Sequence, residues 1–169
     1  MTMTVDADGN FRFKVVSNGM SHREWLTYLG TKGFSTHYVY WTLFVASQAP
    51  TNGVEYDVVV LSGDKFSPDG SPHEVIRAYT TERGWVAPHW EVACLARDMI
   101  SDDDLREAGF CRMIIMHDPI PVQSDMPFTF EDVLLSLYLG RQFYSLRATP
   151  VCKDETTGFA FVVPPNGKI

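Results

Sequence analysis

The sequence predicts an α+β fold: a single domain over residues 1–169, with a mainly antiparallel sheet and helices packed on one face. Three observations support this class. The chain has 169 residues, of which 45% are hydrophobic, and this is enough to bury a core of its own. Strand-like runs lie next to one another, with the helical segments grouped between them. The chain also has no internal repeat, low-complexity tract or linker that would divide it.

The N-terminal third is predicted to contain a hairpin, a helix and a central strand. Residues 5–11 form a turn sequence between two short alternating runs. Ser21 and Glu24 have the spacing of a capping box, which predicts a helix over 22–32. Residues 36–46 are rich in aromatic and β-branched side chains on both parities, so we expect a strand that is covered on both faces.

The middle of the chain is predicted to add two strands and two helices. Residues 54–61 alternate and then become continuously apolar, which indicates a strand antiparallel to the preceding one. Residues 74–81 are less apolar and are interpreted as a strand near an edge. Apolar residues at helical spacing predict a helix over 88–99, and Ser101 is predicted to cap a short second helix.

The C-terminal third is predicted to contain a strand, a long helix and a last strand. Residues 113–116 are continuously apolar, which is typical of a buried strand. Pro119 and Pro121 follow and are predicted to prevent regular pairing there. A wide apolar stripe over 130–144 predicts a helix lying on the sheet, and residues 158–163 are predicted to form the final strand.

The charge balance argues against nucleic acid as a partner. Fourteen basic and twenty-one acidic side chains give a net charge of −7, and the basic residues are scattered singly. The densest acidic run, 98–104, is interpreted as the first turn of a helix, where the helix dipole favours anions. A mimic of nucleic-acid charge is an alternative, and it would need Asp57, Asp64 and Asp69 on the same surface.

Targeting signals and cysteine usage indicate a cytoplasmic protein. No run of 18 apolar residues occurs, and the N-terminal residues have neither a basic nor an apolar signal region. We therefore expect no membrane association. Cys94, Cys111 and Cys152 are odd in number and widely spaced, which suits a reducing compartment better than a disulfide framework.

Motifs for cofactors and metals are missing from the sequence. It contains neither the P-loop pattern nor GxGxxG, and neither CxxC nor HxxxH, so we expect no cofactor and no metal. The tripeptide His89-Trp90-Glu91 matches the HxE of zinc deaminases. That chemistry also needs a downstream PCxxC, which is missing, and we interpret the match as chance.

His117 and Asp118 are the candidate acid–base residues. They end a predicted buried strand, directly before a loop that contains Asp125, and such positions often present catalytic groups to a cleft. Adjacent residues of an extended chain point to opposite sides, so a dyad would need the backbone to turn at Asp118. The alternative is that Asp118 caps the Pro119 turn while His117 is a half-buried structural residue.

Aromatic density supplies the second candidate site. Seven aromatic residues lie between positions 25 and 44, more than one helix layer would ordinarily cover. Tyr38, Tyr40 and Phe44 share one parity of the predicted strand, and aromatic side chains of this kind anchor protein interfaces at low entropic cost. The alternative is a core that is simply rich in aromatics.

These features favour a non-enzymatic protein-binding module, such as an inhibitor, immunity factor, chaperone or assembly component. Its partner would be another protein, and a second copy of the chain is an alternative. The other function considered is a small hydrolase or lyase, with His117 as general base and Asp118 or Asp125 orienting it. The predicted binding residues lie on the sheet face and in the long polar loop 62–73: Tyr38, Tyr40, Phe44, Lys65, Phe66 and Asp69.

Overall fold

A computed structural model describes residues 3–36, 48–66, 72–118, 120–123, 130–138, 142–147 and 157–165. These segments form an eight-stranded sheet with α-helices against it, which confirms the α+β class. The strands are β1 (Thr4–Val5), β2 (Phe11–Asn18), β3 (Asn52–Ser62), β4 (Arg112–Ile115), β5 (Ile120–Gln123), β6 (Phe130–Tyr138), β7 (Gln142–Arg147) and β8 (Thr157–Val163). The helices are α1 (His22–Thr31), α2 (Pro72–Glu82), α3 (Glu91–Met99) and α4 (Asp102–Glu107), and Gly63–Lys65 forms a 3-10 turn.

The sheet is mainly antiparallel, as predicted. Its order is β1-β2-β3-β8-β4-β6, and only the pairing of β4 with β8 is parallel among the described strands. β4 pairs with residues 136–138 of β6, and β5 pairs with residues 130–133 of the same strand. Because β7 also pairs with β6 over residues 133–138, β4 and β5 lie end to end along one edge of β6 and β7 lies along the other.

Each face of the sheet carries its own apolar core, because side chains of a strand alternate between the faces. Val58 and Val60 of β3 pack with α1, α3 and α4 on one face. Val59 and Leu61 pack on the opposite face with Ile76 of α2. Three helices are therefore gathered on one face, and α2 covers part of the other.

Both predicted helix starts at serine are confirmed. The Ser21 hydroxyl accepts from the Glu24 amide, and the Glu24 carboxylate accepts from the Ser21 amide, which completes a capping box. Ser101 and Asp104 make the same reciprocal pair at the start of α4. The acidic residues 102–104 occupy the first turn of α4, which confirms their interpretation as the first turn of a helix.

Residues 74–81, predicted as a strand, lie in helix α2, and that prediction was wrong. Four of these eight residues are β-branched, which resembles strand composition. The structure buries Ile76 and Thr80, which are four residues apart and so face the sheet from one side of a helix. Pro72, the first residue of α2, is the helix signal that the sequence analysis missed.

The helix predicted over 130–144 was also wrong, because residues 130–138 and 142–147 form the antiparallel pair β6 and β7. Leu134 packs in the core on one face of the sheet, and Leu135 packs in the core on the other. A strand that is buried on both faces is continuously apolar, and it therefore matches a helical stripe as well as a strand. The predicted strand 36–46 lies almost wholly outside the described residues.

The expectation that Pro119 and Pro121 prevent pairing was wrong for Pro121. This residue lies in β5 opposite Asp132 of β6. Proline lacks an N–H but keeps its carbonyl, so it is tolerated where the missing donor would not be needed by the neighbouring strand.

Gly158 of β8 is expected to be intolerant of a side chain. A Cβ built there would lie 2.8 Å from Val60 Cγ1 and 3.2 Å from Phe110 Cε2. Gly158→Ala should therefore lower the free energy of unfolding by about 2 kcal/mol through overpacking, measured by urea denaturation. Gly30→Ala is the control, because a Cβ there meets nothing within 4 Å, and alanine should stabilise α1 slightly. Equal stability of the two variants would contradict this prediction.

Candidate functional site

His117 lies in the gap between the end of β4 and the start of β5. Its side chain is buried, and its Nε2 accepts a hydrogen bond from the Leu135 amide of β6 at 3.0 Å. Nδ1 must then carry the proton, and it lies 2.7 Å from the Asp118 carbonyl oxygen, to which it donates. If β4 and β5 were one continuous strand, a backbone carbonyl would accept from the buried Leu135 amide. The His117 ring takes the place of that carbonyl.

These contacts engage both ring nitrogens of His117. Burial lowers the pKa of His117 to about 4, so the ring is neutral at pH 7. Asp118 is exposed and meets the ring through its backbone carbonyl. Asp125 lies outside the described residues. This geometry matches the structural interpretation of His117 better than a general base facing a cleft.

The predicted binding residues divide between the surface, the core and undescribed segments. Lys65 is exposed, and its Nζ donates to the Asp8 carbonyl at 2.9 Å and to Asn10 Oδ1 at 2.6 Å. Phe66 is only 8% exposed and its ring packs edge-on against Tyr79 and Phe159. Of Lys65 and Phe66, only Lys65 is therefore accessible to a partner. The remaining predicted binding residues lie outside the described part of the chain: Tyr38, Tyr40, Phe44 and Asp69.

A partly exposed aromatic surface lies along α2 and the segment that follows this helix. Residues 74–81 of α2 are those predicted as an edge strand. Tyr79 and Trp85 are half-buried and meet edge to face at 6.3 Å between ring centroids. The Arg83 guanidinium lies 3.6 Å from the centroid of the Tyr79 ring. Val75, one helical turn before Tyr79, is 36% exposed. We call these four residues the α2 surface.

A second group of polar side chains converges on Glu91, the first residue of α3. Glu91 is 1% exposed, and its Oε1 accepts from the Tyr56 hydroxyl at 2.8 Å and from Thr51 Oγ1 at 2.5 Å. Its Oε2 accepts from the Thr51 amide at 3.0 Å. His89 Nδ1 lies 3.1 Å from Oε1. We call Thr51, Tyr56, His89 and Glu91 the Glu91 cluster.

The Glu91 cluster stabilises a buried negative charge. Burial alone would raise the pKa of Glu91, but hydrogen bonds from His89, Thr51 and Tyr56 outweigh this effect, and the pKa is lowered from its ordinary value. Burial and the neighbouring carboxylate raise the pKa of Tyr56 to about 12, so its hydroxyl remains a donor. Glu91 is therefore an ionised acceptor, and Thr51 and Tyr56 hold it as neutral donors.

Two histidines flank the Trp90 ring beside this cluster. The rings of His22 and Trp90 stack at 4.3 Å between centroids, and the rings of His89 and Trp90 are 5.4 Å apart. Burial, and next the charge of His89, lower the pKa of His22. The Trp90 indole donates to the Gln48 carbonyl at 2.9 Å, which fixes the ring between them.

The HxE tripeptide was the sequence signal for the Glu91 cluster. The match was interpreted as chance because no PCxxC follows it. Its remaining partners in the cluster, Thr51 and Tyr56, are 40 and 35 residues away from Glu91 in the chain. No grouping of three or more histidine, cysteine, aspartate or glutamate side chains suited to a metal ion occurs within the described segments.

Comparisons with protein-family models, with curated proteins and with solved structures found no match to this chain. Among the helices that the structure describes, none is long and apolar enough to cross a membrane.

Proposed function

We propose that this protein is a protein-binding module, acting as an inhibitor, immunity factor, chaperone or assembly component. The observation that carries the proposal is the α2 surface, which combines tyrosine, tryptophan and arginine with an exposed valine. These three residue types are the ones most enriched among the energetically dominant residues of protein interfaces. Another protein is the proposed partner.

The contacts within the α2 surface favour binding because they order its side chains in advance. Tyr79 packs against the core residue Phe66 at 5.5 Å between centroids, and this fixes its ring. Arg83 lies over that ring and donates from one guanidinium nitrogen to the Tyr79 carbonyl at 3.3 Å. Less side-chain entropy is then lost on association than with a freely rotating arginine. Phe66 also joins this surface to the polar loop 62–73 that the sequence analysis selected as a contact region.

We also infer a cytoplasmic location, the compartment that the cysteine usage predicts. Cys111 is an exposed free thiol and Cys94 is a buried one. Exposed unpaired thiols persist in reducing compartments and are oxidised elsewhere.

Arg83→Glu combined with Val75→Asp is expected to weaken partner binding about thirtyfold, because the first change reverses a charge of the α2 surface and the second places a charge at its apolar position. The measurement is quantitative capture from native lysate, followed by titration of the identified partner. The control is Arg23→Glu combined with Val16→Asp, which makes the same chemical changes at exposed residues of α1 and β2. The thermal midpoint should stay within about 3 °C of the wild type in both variants.

Tyr40→Ala, assayed beside these variants, tests the contact that the sequence analysis predicted. If the α2 variant binds the partner fully while Tyr40→Ala loses binding, the interface lies on the 36–46 segment and not on the α2 surface. Equal losses in the α2 variant and its control would contradict a localised interface, and failure to capture any specific partner would contradict the binding function itself.

A further inference from the structure

His89 has the surroundings of an oriented base. Its Nδ1 lies 3.1 Å from Glu91 Oε1, and the Glu91 amide N–H is directed at the same Nδ1 from 3.4 Å. The carboxylate favours a proton on Nδ1, whereas the longer amide contact favours a lone pair there. An ionised carboxylate can only accept, and it is the closer of the two partners. The contact therefore selects the tautomer with the proton on Nδ1, which leaves the lone pair on Nε2.

Glu91 is held in place independently of His89. The Thr51 amide, the Thr51 hydroxyl and the Tyr56 hydroxyl all donate to its carboxylate. Glu91 is also the first residue of α3, where the helix dipole favours a negative charge. A buried carboxylate fixed in this way orients a histidine ring and stabilises the imidazolium that forms when the ring gains a proton.

His89 differs from His22 and His117 in what its ring can still do. Both nitrogens of His117 are engaged with the backbone, and the Nε2 atom of His22 is buried. The His89 side chain remains 16% exposed while Glu91 is almost fully enclosed. The cluster thus connects a buried anion to a side chain that is partly open to solvent.

We propose that His89 is a proton-accepting catalytic site, with Glu91 as its positioning residue, for a hydroxyl-bearing substrate or a water molecule bound beside Nε2. In this step the oxygen–hydrogen bond breaks, its electron pair stays on oxygen, and a nitrogen–hydrogen bond forms at Nε2. The positive charge of the imidazolium is then compensated by the Glu91 carboxylate. This activity goes beyond protein binding and does not depend on it.

A simpler role for Glu91 is to clamp the chain before β3. The three donors from Thr51 and Tyr56 would be sufficient for that clamp. Only the proposed catalytic role requires the carboxylate to fix the His89 proton on Nδ1. The tautomer of His89 therefore distinguishes the two roles.

The first test measures the tautomer directly on the wild-type protein. Nitrogen-15 NMR of the histidine rings should show His89 with Nδ1 protonated and Nε2 unprotonated at a pH where the ring is neutral. A ring with its proton on Nε2 would overturn the proposal, and this result requires no variant to fold.

The second test uses diethyl pyrocarbonate as a probe of the Nε2 lone pair. Nε2 attacks a carbonyl carbon, the bond to the ethyl carbonate group breaks, and the ring loses its Nδ1 proton to solvent. Peptide mapping should show His89 acylated faster than His22 and His117. In Glu91→Gln the amide can donate to Nδ1 and move the ring proton to Nε2, so acylation of His89 should fall about tenfold.

Glu24→Gln is the matched control, because Glu24 also lies in the first turn of a helix but its carboxylate binds Ser21. It should leave the acylation rate of His89 unchanged. An unchanged rate in Glu91→Gln, with the fold verified by circular dichroism, would overturn the role of Glu91. A rate for His89 no greater than that of His117 would overturn the proposed site.

Discussion

Acidification from pH 7 to pH 4 should lower the free energy of unfolding by about 3 kcal/mol through His117 alone. The pKa of His117 is about 4 in the folded protein, against an ordinary value of 6.5. Each unit of difference corresponds to about 1.4 kcal/mol. The ring is buried and neutral because its Nε2 accepts from the Leu135 amide, and protonation would remove that acceptor.

The direction of the pH effect follows from which state binds the proton. Between pH 6.5 and pH 4 the unfolded chain has His117 protonated while the folded chain has it neutral. The unfolded state therefore binds more protons, and stability falls as the pH is lowered through this window. Burial also lowers the pKa of His22, which adds to the same trend.

His117→Gln isolates the contribution of His117. The glutamine side-chain oxygen can accept from the Leu135 amide, but it does not titrate. We expect this variant to lose about 1 kcal/mol at pH 7 and to show a flatter stability profile between pH 6.5 and pH 4. Urea denaturation at several pH values measures both quantities. Parallel profiles for the variant and the wild type would show that His117 is not the group responsible.

Local signals were sufficient to predict the elements that depend on local chemistry. Ser21 and Ser101 each cap a helix through a partner three residues away, and both starts were predicted correctly. β3 and β8 were predicted from short apolar runs bounded by turn residues. Caps and turns involve neighbours in the chain, so their physical cause is visible in the sequence.

Elements that depend on burial could not be assigned in the same way. The α2 helix has β-branched residues, and β6 is apolar on both parities, so intrinsic propensity and periodicity both favoured the wrong structure. In β6, Leu134 and Leu135 are both buried because cores lie on both faces of the sheet. Only the tertiary arrangement supplies that information.

The same limit applies to the candidate sites. His117 was selected because it ends a buried strand, but the acceptor role of its ring depends on Leu135, 18 residues later. The α2 surface could not be predicted once residues 74–81 were interpreted as a strand. The Glu91 cluster joins residues before β3, within β3 and at the start of α3, and the HxE tripeptide alone does not indicate those partners.

Glu91→Ala is expected to lower the free energy of unfolding by about 4 kcal/mol, the largest effect of any substitution considered. The change removes a buried carboxylate that accepts from Thr51 and Tyr56 and contacts His89. Removing a buried ionised acceptor leaves the Thr51 amide without that partner and takes the carboxylate from the two hydroxyls and His89, which is costlier than the loss of a surface contact.

A graded series separates the charge of Glu91 from its shape. Glu91→Gln keeps one acceptor oxygen but places an amide group among donors, so we expect a loss of about 2 kcal/mol. Glu24→Ala is the control, because it removes an exposed capping-box glutamate from a helix start, and it should cost about 1 kcal/mol. Tyr56→Phe should cost about 1 kcal/mol in the wild type and less in Glu91→Ala, because its hydroxyl then has no carboxylate to bind. If Glu91→Ala costs no more than Glu24→Ala, the buried carboxylate does not hold the segment before β3 against α3.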